Sequence, residues 1–448
     1  MKRILCTLAF WAMGLACFGG RYSADWQSLN EHPCPQWWQD AKFGIFIHWG
    51  VYSVPAFADP EADPAWWRYA EQYWLLKEKN PVARAYHEKH YQGKDYRDFA
   101  KQFSAKDFDP RRWADLFRRA GARYVVLTSR HHDGFTLWPS PLAPGWNAGE
   151  VGPKRDLCGE LSSAVKAAGL RMGFYFSHLQ WHHPLYTRMG VTNFVETVNL
   201  PQLKDLVVRY RPDIIWGDGE WDYLWTVWRG PEFLQWLYND SPVRETVVVN
   251  DRWGAGLRGK CGDFYSTEYS EINGLTNTAF RRPFEECRGI GYSFGYNRLE
   301  TTRHYHTDKD CIEELVEKVS RGGNLLLNIG PDADGLIPVI MEERLLAMGR
   351  WLETNGEAIY GSRKGTLRPD GKHVYCTDGD NAKYVFDFRL DGKPLVVSGA
   401  DGVSEVSLIG SDASVSYACN GGILTLTPPA LPPSLMPSVH AWVYRIRK

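Results

Sequence analysis

The chain has 448 residues, a length typical of about two to four domains, and its 52 basic and 53 acidic residues give a formal net charge of −1. This balance excludes the basic surface by which proteins bind nucleic-acid backbones. A hydrophobic fraction of 44% with 23% charged residues excludes a disordered chain. The 20 Trp, 23 Tyr and 20 Phe residues indicate a large core and sites that hold apolar ring faces.

The first segment has the pattern of a secretory signal peptide. Met1–Arg3 is short and basic, and Ile4–Phe18 follows almost without polar groups. That run is too short to span a membrane comfortably, and no other apolar run is long enough, so we predict no membrane span. We predict a cleaved signal peptide over residues 1–22 and a secreted or periplasmic protein. Cys17 is a weak match to a lipid-anchoring site, because Gly14 fits that pattern poorly.

Eight short apolar segments come next, and they are predicted to be buried strands. They are Phe43–Trp49, Tyr124–Ser129, Met172–Ser177, Asp213–Gly217, Thr246–Asn250, Asp263–Ser266, Tyr292–Gly295 and Asn324–Ile329. Helical patterns lie between many of them, over Pro110–Ala120, Leu157–Ala168, Pro201–Tyr210 and Cys311–Ser320. This alternation predicts an α/β fold, a (β/α)₈ barrel over residues 25–360. Only about a dozen residues separate the fifth strand from the sixth, too few for a crossover helix, so we expect a distorted barrel.

The pattern changes after the predicted amphipathic helix Pro338–Glu357. From Gly361 onward, alternating runs such as Lys383–Phe388 and Ile423–Leu426 are separated by Asp-Gly turns. This predicts a C-terminal antiparallel β-sandwich over residues 361–448. The seven cysteines outside the leader are widely spaced and include no C-x-x-C pair, so neither a zinc knuckle nor a disulfide framework is predicted.

Polar side chains of catalytic type follow several of the predicted strands, where barrel enzymes carry their active sites. Asp218 follows Asp213–Gly217, and Glu268 follows Asp263–Thr267. A retaining glycosidase needs one carboxylate as nucleophile and a second carboxyl, about 5 Å away, as acid and then base. We therefore predict that Asp218 and Glu268 are the catalytic pair.

Other strand ends carry groups that suit a sugar. Imidazoles and a guanidinium can bridge vicinal hydroxyls, and they are supplied by His48, His131, His132 and Arg252. An apolar wall is supplied by Phe46, Tyr175, Trp216 and Phe294. A metal site is the competing interpretation of His131-His132-Asp133. We expect no metal there, because adjacent side chains on an extended segment point to opposite faces and no H-E-x-x-H helix is present.

Several longer motifs occur in a fixed order along the chain. They are Lys42–Gly50 (KFGIFIHWG), Arg130–Phe135 (RHHDGF), Trp216–Asp218 (WGD), Asn250–Gly254 (NDRWG), Gly323–Pro331 (GNLLLNIGP) and Asn355–Gly361 (NGEAIYG). Together they resemble the α-L-fucosidases of glycoside hydrolase family twenty-nine over essentially the whole chain after the leader. The resemblance implies retaining exo-hydrolysis of terminal α-L-fucose from glycans or glycoconjugates, without metal or organic cofactor.

The resemblance also implies roles for single residues. Asp218 matches the nucleophile, and Glu71 matches a sugar-binding glutamate. The four predicted hydroxyl-binding residues match groups that bind fucose, and the four aromatic residues match the wall around its methyl group. Gln72 and Phe294 stand where the family commonly has Trp, so the fine shape of the pocket differs from the family pattern.

The acid/base is poorly fixed by sequence in this family. Glu268 matches it in some relatives, while Glu271, Glu220 and Glu285 are alternatives. Two other functions stay open at this stage: a catalytically silent fucose-binding protein, and a glycosidase for a related sugar such as an α-L-galactoside. The expected partner is a fucosylated oligosaccharide or glycoconjugate.

Overall fold

A computed structural model describes residues 20–269 and 282–448. Its centre is a curled sheet of eight parallel strands in the order β5-β4-β3-β2-β1-β8-β7-β6. The strands are β1 (Phe43–Ile47), β2 (Tyr124–Arg130), β3 (Arg171–Ser177), β4 (Ile214–Asp218), β5 (Val248–Val249), β6 (Tyr265–Glu268), β7 (Phe284–Gly289) and β8 (Asn324–Ile329). This sheet confirms the predicted distorted (β/α)₈-type fold. The leader, residues 1–19, lies outside the described residues.

The distortion lies between β5 and β6, where we expected a helix to be missing. No ladder joins these two strands in the described part of the chain. Asp263 links them instead: its N–H donates to the Val249 carbonyl and its carboxylate accepts from Val249 N–H, each at 2.9 Å. The Asn250 side-chain amide binds the Gly217 N–H and carbonyl at 3.0 and 2.8 Å, as a strand would. These side chains fix the segment that follows β5.

The seventh strand was predicted wrongly. Residues Tyr292–Gly295 form bends, and β7 lies at Phe284–Gly289 instead. The apolar pattern missed it because two of its buried side chains are carboxyls. Glu285 accepts hydrogen bonds from Tyr124 Oη at 2.5 Å and from Trp216 Nε1 at 2.9 Å, so burying it does not leave its oxygens unpaired.

Helices cover the outside of the sheet. They are α1 (Trp26–Leu29), α2 (Gln36–Ala41), α3 (Tyr73–Lys79), α4 (Pro81–Tyr91), α5 (Pro110–Arg119), α6 (Leu157–Ala167), α7 (Val191–Phe194), α8 (Leu200–Tyr210), α9 (Trp225–Trp228), α10 (Gly230–Asn239), α11 (Asp308–Ser320) and α12 (Val339–Asn355). The start of α5 shows how sequence sets their bounds, since Asp109 caps it through Arg111 N–H at 2.9 Å and Pro110 fits its first turn. No helix within the described residues is long and apolar enough to cross a membrane.

Two antiparallel sheets follow the barrel and confirm the predicted β-sandwich. Their strands are β9 (Arg363–Lys364), β10 (Arg368–Pro369), β11 (Val374–Asp378), β12 (Lys383–Asp387), β13 (Leu395–Ser398), β14 (Glu405–Leu408), β15 (Ser416–Asn420), β16 (Ile423–Thr427) and β17 (Trp442–Arg447). One sheet has the order β10-β13-β16-β15, and the other has the order β14-β17-β12-β11-β9. Val385, Val397, Leu424 and Trp442 belong to one buried cluster formed by both sheets, so Trp442 serves the core.

Candidate active site

A pocket opens at the carboxyl ends of the barrel strands. All eleven predicted site residues line it: Phe46, His48, Glu71, His131, His132, Tyr175, Trp216, Asp218, Arg252, Glu268 and Phe294. Five further lining residues were not among the predicted site residues: Tyr69, Gln72, Trp221, Arg258 and Cys287. They lie on loops, in the short 3₁₀ helix Ala70–Gln72 or on the misplaced β7, where no apolar periodicity identified them.

Asp218 is the last residue of β4, and its carboxylate is held from both sides. Oδ1 accepts from Arg252 Nη1 at 2.6 Å, and Oδ2 accepts from Tyr175 Oη at 2.7 Å. Burial raises the pKa of this carboxyl, but the charge of Arg252 and smaller contributions from other neighbours, such as the Tyr175 hydrogen bond, together outweigh burial and leave the pKa well below its usual range. The group is therefore ionised at neutral and mildly acidic pH, as a nucleophile must be.

Arg252 connects the two predicted catalytic acids. Its Nη2 lies 3.4 Å from Glu268 Oε2, while its Nη1 binds Asp218. Because one planar guanidinium spans both contacts, the bound carboxylate oxygens lie within about 8 Å of each other. This upper bound includes the separation of about 5 Å that a retaining pair needs. The Arg252 Nε–H donates to Ser266 Oγ at 2.9 Å, and the guanidinium carbon lies 4.4 Å from the ring centre of Trp216. These contacts fix the orientation of Arg252.

The alternative acids differ from Glu268 in position. Glu285 and Glu220 do not line the pocket. Burial raises the pKa of Glu285 to about 7, but both of its oxygens are bound beneath the pocket by Tyr124 and Trp216. Glu220 is buried and accepts from Arg258 Nε at 2.7 Å. Glu271 lies outside the described residues. Among the described alternatives, Glu268 alone lies at the pocket.

Two histidines are held in a defined tautomer. The Asn328 Nδ2 donates to the Phe294 carbonyl at 2.6 Å, which orients the amide so that its Oδ1 accepts from His48 Nδ1–H at 2.7 Å. Similarly, Ser177 Oγ donates to the Leu179 carbonyl and therefore accepts from His132 Nδ1–H at 2.7 Å. Each Nε2 is then an acceptor.

Burial keeps these rings uncharged. It lowers the pKa of His48 to about 3 and that of His132 to about 4. His132 Nε2 lies 3.7 Å from Asp218 Oδ2, so two acceptors face each other without a proton between them. A sugar hydroxyl that lies beside this pair can donate to either acceptor, which suits the recognition of a sugar.

The expectation that the side chains of His131 and His132 point to opposite faces is wrong. Strand β2 ends at Arg130 and the chain turns, so both imidazoles lie in the pocket with ring centres 4.1 Å apart. His131 stacks on Tyr175 at 5.4 Å with an angle of 11°. In residues 20–269 and 282–448, no group of three or more His, Cys, Asp or Glu side chains is placed to hold a metal ion.

Glu71 lies in a short 3₁₀ helix, Ala70–Gln72, and is buried. Its Oε2 accepts from Gly295 N–H at 2.8 Å and from Ser293 Oγ at 3.2 Å. Ser293 belongs to Gly291–Gly295 (GYSFG), which has the G-x-S-x-G spacing of a serine-hydrolase elbow. Its hydroxyl also accepts from Ala70 N–H at 2.8 Å, so Ser293 serves to orient Glu71.

Three rings of the aromatic wall pack against one another, and the fourth, Phe294, contacts His48. Trp216 lies 5.1 Å from Phe46 and stacks at 5.8 Å on Tyr175. Phe294 lies 4.9 Å from the ring of His48. The wall places apolar ring faces beside the histidine acceptors, an arrangement suited to a sugar that has both hydroxyls and a methyl group.

Burial raises the pKa of Glu71 to about 7, from 4.5 in water. The folded state thus favours the protonated carboxyl, and stability falls as the pH rises from 4.5 through 7. Glu71→Gln stays neutral, so we expect it to exceed the wild type in stability by up to about 3 kcal/mol at pH 8. Thermal unfolding measured from pH 4.5 to pH 8 checks this. At pH 4.5 the two proteins should nearly coincide, and a variant no more stable at pH 8 would contradict the prediction.

A pocket with paired carboxylates at the carboxyl ends of a (β/α)₈-type sheet defines a glycoside hydrolase. The family model for alpha-L-fucosidase matches residues 11–357. The chain therefore belongs to the alpha-L-fucosidase family.

Named relatives agree in sequence and in structure. The tissue alpha-L-fucosidase of Rattus norvegicus is 41% identical over 445 residues, which cover 95% of this chain and 93% of the rat protein. The Thermotoga maritima alpha-fucosidase, solved with a mechanism-based inhibitor, superposes with a TM-score of 0.80 at 35% identity, covering 96% of this chain and 100% of that one. A Bacteroides thetaiotaomicron alpha-L-fucosidase, solved as a trapped covalent intermediate, gives a TM-score of 0.75 at 25% identity, with 92% and 95% covered.

Proposed function

We propose that this chain is a retaining exo-α-L-fucosidase that removes terminal α-L-fucose from glycans or glycoconjugates. One observation carries the proposal: the buried, ionised Asp218 carboxylate shares the Arg252 guanidinium with Glu268. A nucleophile and a second acid are thus available in one pocket. The covalent intermediate trapped in the Bacteroides relative supports retention of configuration.

In the first step, an Asp218 oxygen attacks the anomeric carbon while the bond from that carbon to the glycosidic oxygen breaks. Glu268 gives its proton to the departing oxygen, so the products are a fucosyl ester of Asp218 and a neutral alcohol. In the second step, ionised Glu268 takes a proton from water, whose oxygen attacks the anomeric carbon and releases Asp218. Arg252 stabilises the carboxylate of Asp218 before the attack and after the release.

The other pocket residues select the sugar. The unprotonated Nε2 atoms of His48 and His132 accept from sugar hydroxyls. The aromatic wall receives the C5 methyl group of fucose, a contact worth about 1 kcal/mol or more in a fitted pocket. An L-galactoside carries a hydroxymethyl group there, and its hydroxyl would be buried against rings without a partner.

The test is hydrolysis of 4-nitrophenyl α-L-fucoside followed by proton NMR. We expect α-L-fucose as the first product, with the β-anomer appearing only by mutarotation, and at least tenfold slower hydrolysis of the α-L-galactoside. A first product in the β configuration would contradict retention. Binding of L-fucose without turnover would favour a silent binding protein instead.

We also propose that the protein is exported. The support is the short basic Met1–Arg3 segment followed by the apolar run Ile4–Phe18, which together have the pattern of a signal peptide over residues 1–22. An exported enzyme would meet fucosylated glycans outside the cytoplasm, in the periplasm or the medium.

A further inference from the structure

Exposure divides the pocket into a floor and a rim. His48, Glu71 and Phe294 on the floor are each at most 5% exposed. On the rim, the side chains of Glu268 and Arg258 are 27% and 26% exposed. An exo-acting enzyme holds the terminal sugar on the floor, so the group that leaves must lie at the rim beside the acid that protonates it.

An ion pair with Glu220 holds the Arg258 side chain at this rim. Its Nε donates to Glu220 Oε1 at 2.7 Å. Its terminal nitrogens find no hydrogen-bond acceptor within the described residues, although the side chain lines the pocket. Four N–H donors are therefore available to an oxygen-rich ligand.

The partner of Arg258, Glu220, is a buried side chain. It is 3% exposed and lies two residues after Asp218, and its second oxygen is buried without a partner in the described part of the chain. Burial raises its pKa, and Arg258 acts in the opposite direction. A buried carboxylate with one partner is costly, and here that partner is the rim arginine.

Trp221 provides a flat surface next to these donors. It is 47% exposed, although tryptophan is usually buried. Its ring meets His132 edge to face, with ring centres 5.4 Å apart at 82°. This contact fixes the indole at the pocket mouth, where its face can receive the apolar face of a sugar ring.

We propose that Arg258 and Trp221 form the subsite for the departing sugar, with Glu220 as a positioning residue for Arg258. The inference rests on the proposed function. The subsite takes a pyranose, whose apolar face stacks on Trp221 and whose hydroxyl or ring oxygens accept from Arg258. An aryl leaving group can use the stacking surface but offers few oxygens to the guanidinium.

The experiment compares 4-nitrophenyl α-L-fucoside with a panel of fucosyl-galactose and fucosyl-N-acetylglucosamine disaccharides. For Arg258→Ala we expect kcat/KM on the best disaccharide to fall at least about tenfold, and the loss on the aryl fucoside to be several times smaller. Inhibition by free L-fucose, which fills only the floor, should change less than threefold. Trp221→Ala should lower kcat/KM on both substrates, and more on the disaccharide.

The positioning role of Glu220 is tested by measuring how its substitution changes KM and kcat separately. Glu220→Ala should raise KM for the disaccharide with a smaller effect on kcat, and Glu220→Gln should recover much of the loss because its amide oxygen still accepts from Arg258. Arg112→Ala is the matched control, since Arg112 pairs with Glu342 at 3.0 Å outside the pocket. It should leave both substrates unaffected.

Equal losses of Arg258→Ala on aryl and disaccharide substrates would overturn the inference. So would a matching loss of L-fucose affinity, which would place Arg258 on the floor. Wild-type protein that cleaves the aryl fucoside but none of the disaccharides would also overturn it. Failure of the wild type on the aryl fucoside is a different result, and it would overturn the proposed function.

Discussion

Asp218→Ala is expected to lower kcat/KM for 4-nitrophenyl α-L-fucoside by about 10⁴-fold or more, since removing a group that acts in covalent catalysis costs factors of this size. The wild-type carboxylate is positioned by Arg252 and Tyr175 and kept ionised by the guanidinium. Alanine removes the nucleophile and leaves a space beside that cation. Steady-state kinetics on the purified variant measures the loss.

A small anion provides the second measurement. Azide can enter the space left in Asp218→Ala and attack the same face of the sugar, so we expect it to restore part of the rate and to form β-L-fucosyl azide. Asp133→Asn is the matched control, because this buried aspartate binds Tyr96 Oη at 2.8 Å and Phe135 N–H at 3.0 Å away from the pocket. Near wild-type turnover by Asp218→Ala would contradict the assignment.

Much of the site could be predicted because the carboxyl ends of the barrel strands meet at one rim. Asp218 ends β4, and His131 and His132 follow the end of β2, so an apolar run marks where each polar group emerges. Arg252 follows β5, a strand of two residues. Its position was predictable from the end of the apolar run Thr246–Asn250 and again from the NDRWG motif. In the fold, the Asn250 side chain holds this segment against Gly217.

The misplaced β7 shows where this reasoning fails. A strand that buries Glu285 has no simple apolar pattern, and its stability depends on Tyr124 and Trp216, which lie far away in sequence. The tautomer of His48 depends in the same way on Asn328, 280 residues away. Such pairings depend on tertiary packing, and no local pattern in the sequence encodes them.

Two rim residues, Trp221 and Arg258, were not predicted for a further reason. Trp221 and Arg258 lie on loops after β4 and β5, where neither strand nor helix periodicity applies. Each is also a residue type with a plausible structural use, as a core ring or as a surface charge. In the structure, exposure at the pocket mouth distinguishes Trp221, and the ion pair with the buried Glu220 distinguishes Arg258.

Glu268→Ala is expected to show a loss that depends on the leaving group. A glycan leaving group needs a proton, so kcat/KM on a fucosylated disaccharide should fall by about 10²- to 10⁴-fold. An aryl fucoside with a strongly acidic phenol leaves without that help, and formation of its fucosyl-enzyme should slow far less.

The alternative acids provide matched comparisons for this prediction. Glu220→Gln and Glu285→Gln keep the size and a hydrogen-bonding oxygen of side chains that lie behind the pocket, so neither should make the rate depend more steeply on leaving-group acidity. Glu271→Ala tests the residue outside the described part of the chain. If it shows the steep dependence and Glu268→Ala does not, the acid is Glu271. In that case the contact of Glu268 with Arg252 would serve to hold the guanidinium against the nucleophile.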